Sequence, residues 1–156
     1  MFDPVEYNLS QWLMRIRQPR NRLNNRPICP FAKTLPNIIK TNRLEEDIFK
    51  LCTSTLTIVC EIDGDSTPSD LELLCDKLHS LHNNYYFLPD HPDKKTYIQG
   101  IETGNGHYPL ILVQTKSELD AARSKLSKTD YYSYWDQDYL EEILAYGDMD
   151  RVGQTN

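Results

Sequence analysis

Hydrophobic positions recur along this chain with two periods, and their alternation lays out the elements in order. Leu9, Trp12, Leu13 and Ile16 follow the i, i+3, i+4, i+7 spacing of one helix face and predict a helix over 4–17. Asp3 can cap it, Pro4 suits its first position, and Glu6 completes a capping box. Pro19 ends it. Residues 18–27 are rich in Arg and Asn, hold two prolines, and read as a loop. Ile38-Ile39-Lys40 predicts a short strand. Asn42, with Glu45 three residues on, starts a helix over 43–52.

Residues 55–62 are the clearest strand, with Leu56, Ile58, Cys60 and Ile62 on one side. Asp63-Gly64-Asp65 turns the chain. A helix from Thr67 to His82 follows, packed through Leu71, Leu74, Cys75 and Leu78. Strands are predicted over 85–88, 96–101 and 108–114, the last a continuous apolar run that reads as central. Gly104-Asn105-Gly106 reads as a turn. Ser117 and Asp120 cap a helix over 117–127. Residues 129–135 are an aromatic connector, Asp136 caps a last helix, and 147–156 read as a flexible C-terminal tail. Helices follow strands throughout. The expectation is a single α/β (or α+β) domain over 1–156, with a mixed sheet of four or five strands covered by helices.

Composition narrows the function classes. A formal net charge of -6 argues against general nucleic-acid binding, which needs a basic surface. The charge is uneven. Arg15, Arg17, Arg20, Arg22 and Arg26 crowd the first segment and residues 136–150 are acidic, so the two ends can pair or the basic end can meet an anion. No apolar run approaches the roughly 20 residues of a membrane span, and no basic-then-apolar leader is visible. Cys29, Cys52, Cys60 and Cys75 form no C-x-x-C pair, so the expectation is a cytoplasmic protein with reduced thiols.

Candidate chemistry concentrates on Cys29 and on three polar loops at strand ends, 63–67, 89–95 and 102–107. Pro27 and Pro30 restrain the backbone around Cys29, while Cys52, Cys60 and Cys75 lie on predicted buried stripes. Ligands of open α/β sheets gather at such strand ends. Cys29 as nucleophile or redox thiol, with His91 as base, is one constellation. Arg22, Arg26, Lys33, Asn105, His107 and Tyr108 would then bind an anionic small molecule. The rival for Cys29 is simple packing beside Phe31. No cofactor is predicted, though a divalent metal on His91, His107 and Asp93 is a weaker alternative.

Three segments together resemble an uncharacterised bacterial family, a domain of unknown function. Ile28-Cys29-Pro30-Phe31-Ala32-Lys33, after a helix containing Trp12-Leu13, looks like that family's Trp-Leu … Leu-Cys-Pro-Phe-Ala start. Phe87 to Pro92 resembles its Phe-His-Pro element, and Thr103 to Val113 is similar to its Thr-Asn-Arg-Ser-Pro-Tyr-Pro segment. The resemblance spans about residues 5–127 and implies a fold and a site location, not a reaction.

Two readings follow. One is a small enzyme using Cys29 and His91. The other is a non-catalytic accessory protein, of a kind a phage encodes, binding an acidic partner through the arginines of 15–26 or through the aromatics of 131–135.

Overall fold

Asp3 begins the first ordered element. Its carboxylate accepts from the N–H groups of Val5 and Glu6, at 2.9 and 3.4 Å, and so caps α1 (Pro4–Arg17). Glu6 returns no bond, so the cap is Asp3 alone and not the predicted box. The same carboxylate pairs with Lys40, which draws the Asp3 pKa below the ordinary aspartate range. In this computed structural model residues 3–20, 23, 36–51, 56–138, 140 and 141 are described.

Four strands form the main sheet: β1 (Asn37–Thr41), β2 (Thr57–Glu61), β3 (Tyr85–Asp90) and β6 (Leu110–Thr115), in the spatial order β1-β2-β6-β3. β1 and β2 are parallel, and β6 runs antiparallel between β2 and β3. β1, β2 and β3 therefore point the same way. Their last residues, Thr41, Glu61 and Asp90, lie at one end of the sheet, where β6 begins at Leu110. The expected mixed sheet with helical cover is present, as an α+β fold. β2 and β3 are joined through α2 (Pro68–Leu81), with β6 inserted between the two strands.

Alternation along the strands feeds a core on each face. Ile58, Cys60 and Leu110 meet Leu9, Trp12, Leu13 and Ile16 of α1. Val59, Phe87, Ile111 and Val113 meet Leu71, Cys75 and Leu78 of α2. Each such side chain contributes about 1.5–3 kcal/mol when fully buried. Every position of β2 is buried, so both its faces are covered and not only the predicted one. Thr67 and Asp70 close a reciprocal capping box on α2.

Several local expectations are corrected. The helix placed over 43–52 is a 3-10 helix, Glu46–Leu51. The Leu44 N–H is held by Glu61 at 2.9 Å, and Ile48 N–H bonds back only to Glu45, which tightens the spiral. The strand placed over 96–101 is a hairpin, β4 (Tyr97–Ile98) and β5 (Ile101–Glu102). Gln99 and Gly100 turn it with φ of 50° and 77°, and the Asp136 carboxylate accepts the Gln99 N–H at 2.9 Å. α3 (Lys116–Ser127) continues from β6 and starts ahead of Ser117. Tyr131–Tyr134 forms a 3-10 helix, and residues 137, 138, 140 and 141 are helical. Residues 147–156 lie outside the described residues. Among the described residues, no helix is long and apolar enough to cross a membrane.

Candidate functional site

The three strand-end loops meet. At the end of β2, the Glu61 side chain, 1% exposed, receives three hydrogen bonds. Leu44 N–H and Ser66 Oγ–H reach Oε2 at 2.9 and 2.7 Å, and Ser66 N–H reaches Oε1 at 3.1 Å. Among the described residues no cation pairs with it. Gly64 passes so close that an added Cβ would lie 2.0 Å from the carboxylate. Glu61 thus fixes both the 41–44 turn and the 63–66 loop.

His91 joins that loop to the next. The Asp93 N–H donates to His91 Nδ1 at 3.0 Å, so the ring proton sits on Nε2, which donates to the Ser66 carbonyl at 2.6 Å. Both nitrogens of this buried ring are engaged within the fold. With a lone pair on neither nitrogen open, His91 takes a substrate proton only after giving up one of these bonds.

At the end of β3, Asp90 closes the third loop. Its Oδ2 accepts from the Asn105 N–H at 2.9 Å and from Asn105 Nδ2 at 2.6 Å. Asn105, 2% exposed, also donates to the Tyr108 carbonyl, and its Oδ1 accepts from the N–H groups of His107 and Tyr108. Gly104 lies against Asp90, where a Cβ would be 2.8 Å from Oδ1. Burial raises the Asp90 pKa, the two Asn105 bonds pull it back, and nearby Glu102 adds to the rise.

Helix α1 secures the same loop from below. Asn8 Nδ2 donates to the Tyr108 hydroxyl at 2.9 Å, Trp12 Nε1 to the Thr103 carbonyl at 2.9 Å, and an Arg15 Nη to the Gly104 carbonyl at 2.7 Å. The i, i+4, i+7 spacing of Asn8, Trp12 and Arg15 places them along one side of the helix. That spacing was a visible signal for these unpredicted contacts. Glu61 was also unpredicted; its signal is an acid closing an otherwise apolar strand.

The predicted residues therefore separate. Asn105 and Tyr108 sit in the Asp90 network, and His91 sits in the Ser66 bridge. His107 is exposed, its ring against Tyr108. Among the described residues, no group of three or more His, Cys, Asp or Glu side chains is arranged to hold a metal, and His91, Asp93 and His107 form no such set. Cys29, Arg22, Arg26, Lys33 and Cys52 lie outside the described residues. Cys60 and Cys75 are buried free thiols, and burial pushes Cys60 up to about 12 and Cys75 further, which keeps both unreactive.

Tyr131 is buried, and Tyr134 and Trp135 pack half-buried against the α1-side core. No protein-family model matches the chain, and no curated protein or solved structure matches it. The family resemblance rests on its motif residues alone.

Proposed function

We propose that this chain is an interaction protein that docks an acidic partner on the basic C-terminal end of α1. What supports the reading is how the arginines there are held. Arg15 donates to the Gly104 carbonyl and Arg20 to the Arg15 carbonyl. Among the described residues no carboxylate pairs with either, and the molecule around them carries a net charge of -6. Fixed guanidinium groups of this kind recognise carboxylates bidentately and steer an acidic partner to one end of the body. Tyr131 is buried and Tyr134 and Trp135 rest half-buried on the α1-side core, which favours the arginines over them as the docking surface. A thiol enzyme built on Cys29 needs His91 to abandon the Ser66 or Asp93 bond, and for that reason ranks second.

The test is fluorescence anisotropy with a labelled polyglutamate peptide, and polyglutamine as control. Wild type binds polyglutamate alone, and the affinity falls as salt rises. Replacing Arg15→Ala together with Arg20→Ala, with the fold checked by circular dichroism, weakens binding about threefold or more, since each exposed pair is worth about 0.2–1 kcal/mol. Equal binding of the two peptides, or an unchanged affinity in the double variant, overturns the reading.

A further inference from the structure

The two outer strands of the sheet finish their free edges differently. Phe87 N–H donates to His79 Nε2 of α2 at 3.0 Å, while Asn84 C=O, on the opposite phase of the strand, accepts from Lys116 beside β6. Residues 85, 87 and 89 of β3 thus turn their backbone groups away from β6. His79 occupies the N–H at the centre of that edge, and Pro89 has none to offer. Both devices stop another strand from adding there.

Among the described residues, β1 has no such finish. Asn37 N–H bonds the Leu56 carbonyl at 3.3 Å and the Thr41 carbonyl receives Ile62 N–H at 2.9 Å, so residues 37, 39 and 41 face β2. Ile38 and Lys40 direct their N–H and C=O groups outward, and none of the described residues bonds them. No proline interrupts Asn37–Thr41. Its one charge, Lys40, is tied to Asp3 on the α1 side. An unprotected edge of this kind is a template for strand addition.

We propose that the β1 edge seats a second copy of this chain, paired antiparallel about a two-fold axis at Ile39. The register follows from the residues. A two-fold at Ile38 sets Lys40 opposite Pro36 of the partner subunit, which has no N–H. A two-fold at Lys40 sets two lysines directly opposite, which repel. Only the axis at Ile39 pairs Ile38 with Lys40 of the partner subunit in both directions, so every outward donor and acceptor of the two residues is met. Ile39 then opposes its own copy. The two four-stranded sheets become one continuous sheet, with the protected β3 edges at its ends.

Sedimentation velocity on the full chain should give a species of twice 18.2 kDa at concentrations of tens of micromolar. Directly opposed residues at non-hydrogen-bonded positions have Cα atoms about 4.5 Å apart, within disulfide reach. Ile39→Cys should therefore cross-link under mild oxidation about tenfold faster than Asn37→Cys, with wild type run alongside to account for the native thiols. Lys40→Pro, which removes an outward N–H and leaves the bonds to β2 untouched, should be monomeric. Lys40→Ala, which loses only the Asp3 pair, should remain dimeric. A monomeric wild type, or equal cross-linking at positions 37 and 39, overturns the proposal, whatever the folding of the proline variant.

Discussion

Glu61 and Asp90 end two parallel strands that flank β6, and each carboxylate is held by a loop that passes it on a glycine. They differ in face and in wiring. Glu61 shares the α2 side of the sheet with Val59 and is buried, with donors on both of its oxygens. Asp90 lies on the α1 side and is half-buried, and the two donors from Asn105 converge on one oxygen. Two acids in similar places are thus built for different duties. Glu61 requires the geometry of a carboxylate, whereas Asp90 requires only one acceptor and retains the desolvation that raises its pKa.

The largest expected contrast is steric. Gly64→Ala drives a Cβ into a Glu61 side chain that three hydrogen bonds hold in place, and should cost about 3 kcal/mol or more. Gly104→Ala meets the Asp90 oxygen more gently and should cost about 1–2 kcal/mol. Urea midpoints rank the two, and equal losses would erase the distinction.

Charge removal sharpens the comparison further. Glu61→Gln turns one oxygen into an NH2 group that faces a donor, and should destabilise by about 1–3 kcal/mol. Asp90→Asn keeps its single acceptor and should stay within about 0.5 kcal/mol of wild type at neutral pH. Because the folded-state pKa of Asp90 is raised, its contribution is present below the ordinary aspartate range and is lost as pH rises through the folded value. Asp90→Asn should remove that slope from a stability-versus-pH series, and an unchanged slope would assign it to another group.

The smallest effect concerns His79. Burial depresses its pKa, and its neutral ring accepts the Phe87 N–H. That bond, worth about 1 kcal/mol, is present above the ordinary histidine range and is lost as pH falls through the folded value. His79→Gln, an uncharged acceptor, should flatten stability between about pH 7 and pH 5. A slope equal to that of wild type would show that His79 does not set it.

What the chain revealed in advance was local. The α1 stripe, the Thr67 cap with its helix, and the apolar run over 108–114 each follow from spacing within one element. The sequence named the three loops but not their meeting: parallel β2 and β3 deliver the 63–67 and 89–95 loops to one end of the sheet, while the 102–107 loop arrives there only because β6 runs antiparallel between them. What stayed hidden was long-range. The Leu44 N–H bond to Glu61 reshapes the segment read as a helix over 43–52. Asp136, far along the chain, grips the hairpin turn at Gln99. No local period reports that a carboxylate such as Glu61 has its donors waiting in two loops. The Cys29 segment, the most suggestive stretch of the sequence, lies outside the described residues.

The inner polar side chains at the strand ends, Glu61, Asp90, His91 and Asn105, spend their hydrogen bonds on the loops around them and not on a substrate. The tautomer of His91 tests this most directly, by long-range proton–nitrogen NMR of the imidazole at about pH 8, above the ordinary histidine range. The expected result is a single Nε2–H tautomer whose ring proton exchanges slowly with water, held by the Ser66 carbonyl. An Nδ1–H tautomer, or a rapidly exchanging mixture of both, would contradict it and return His91 to the role of a base.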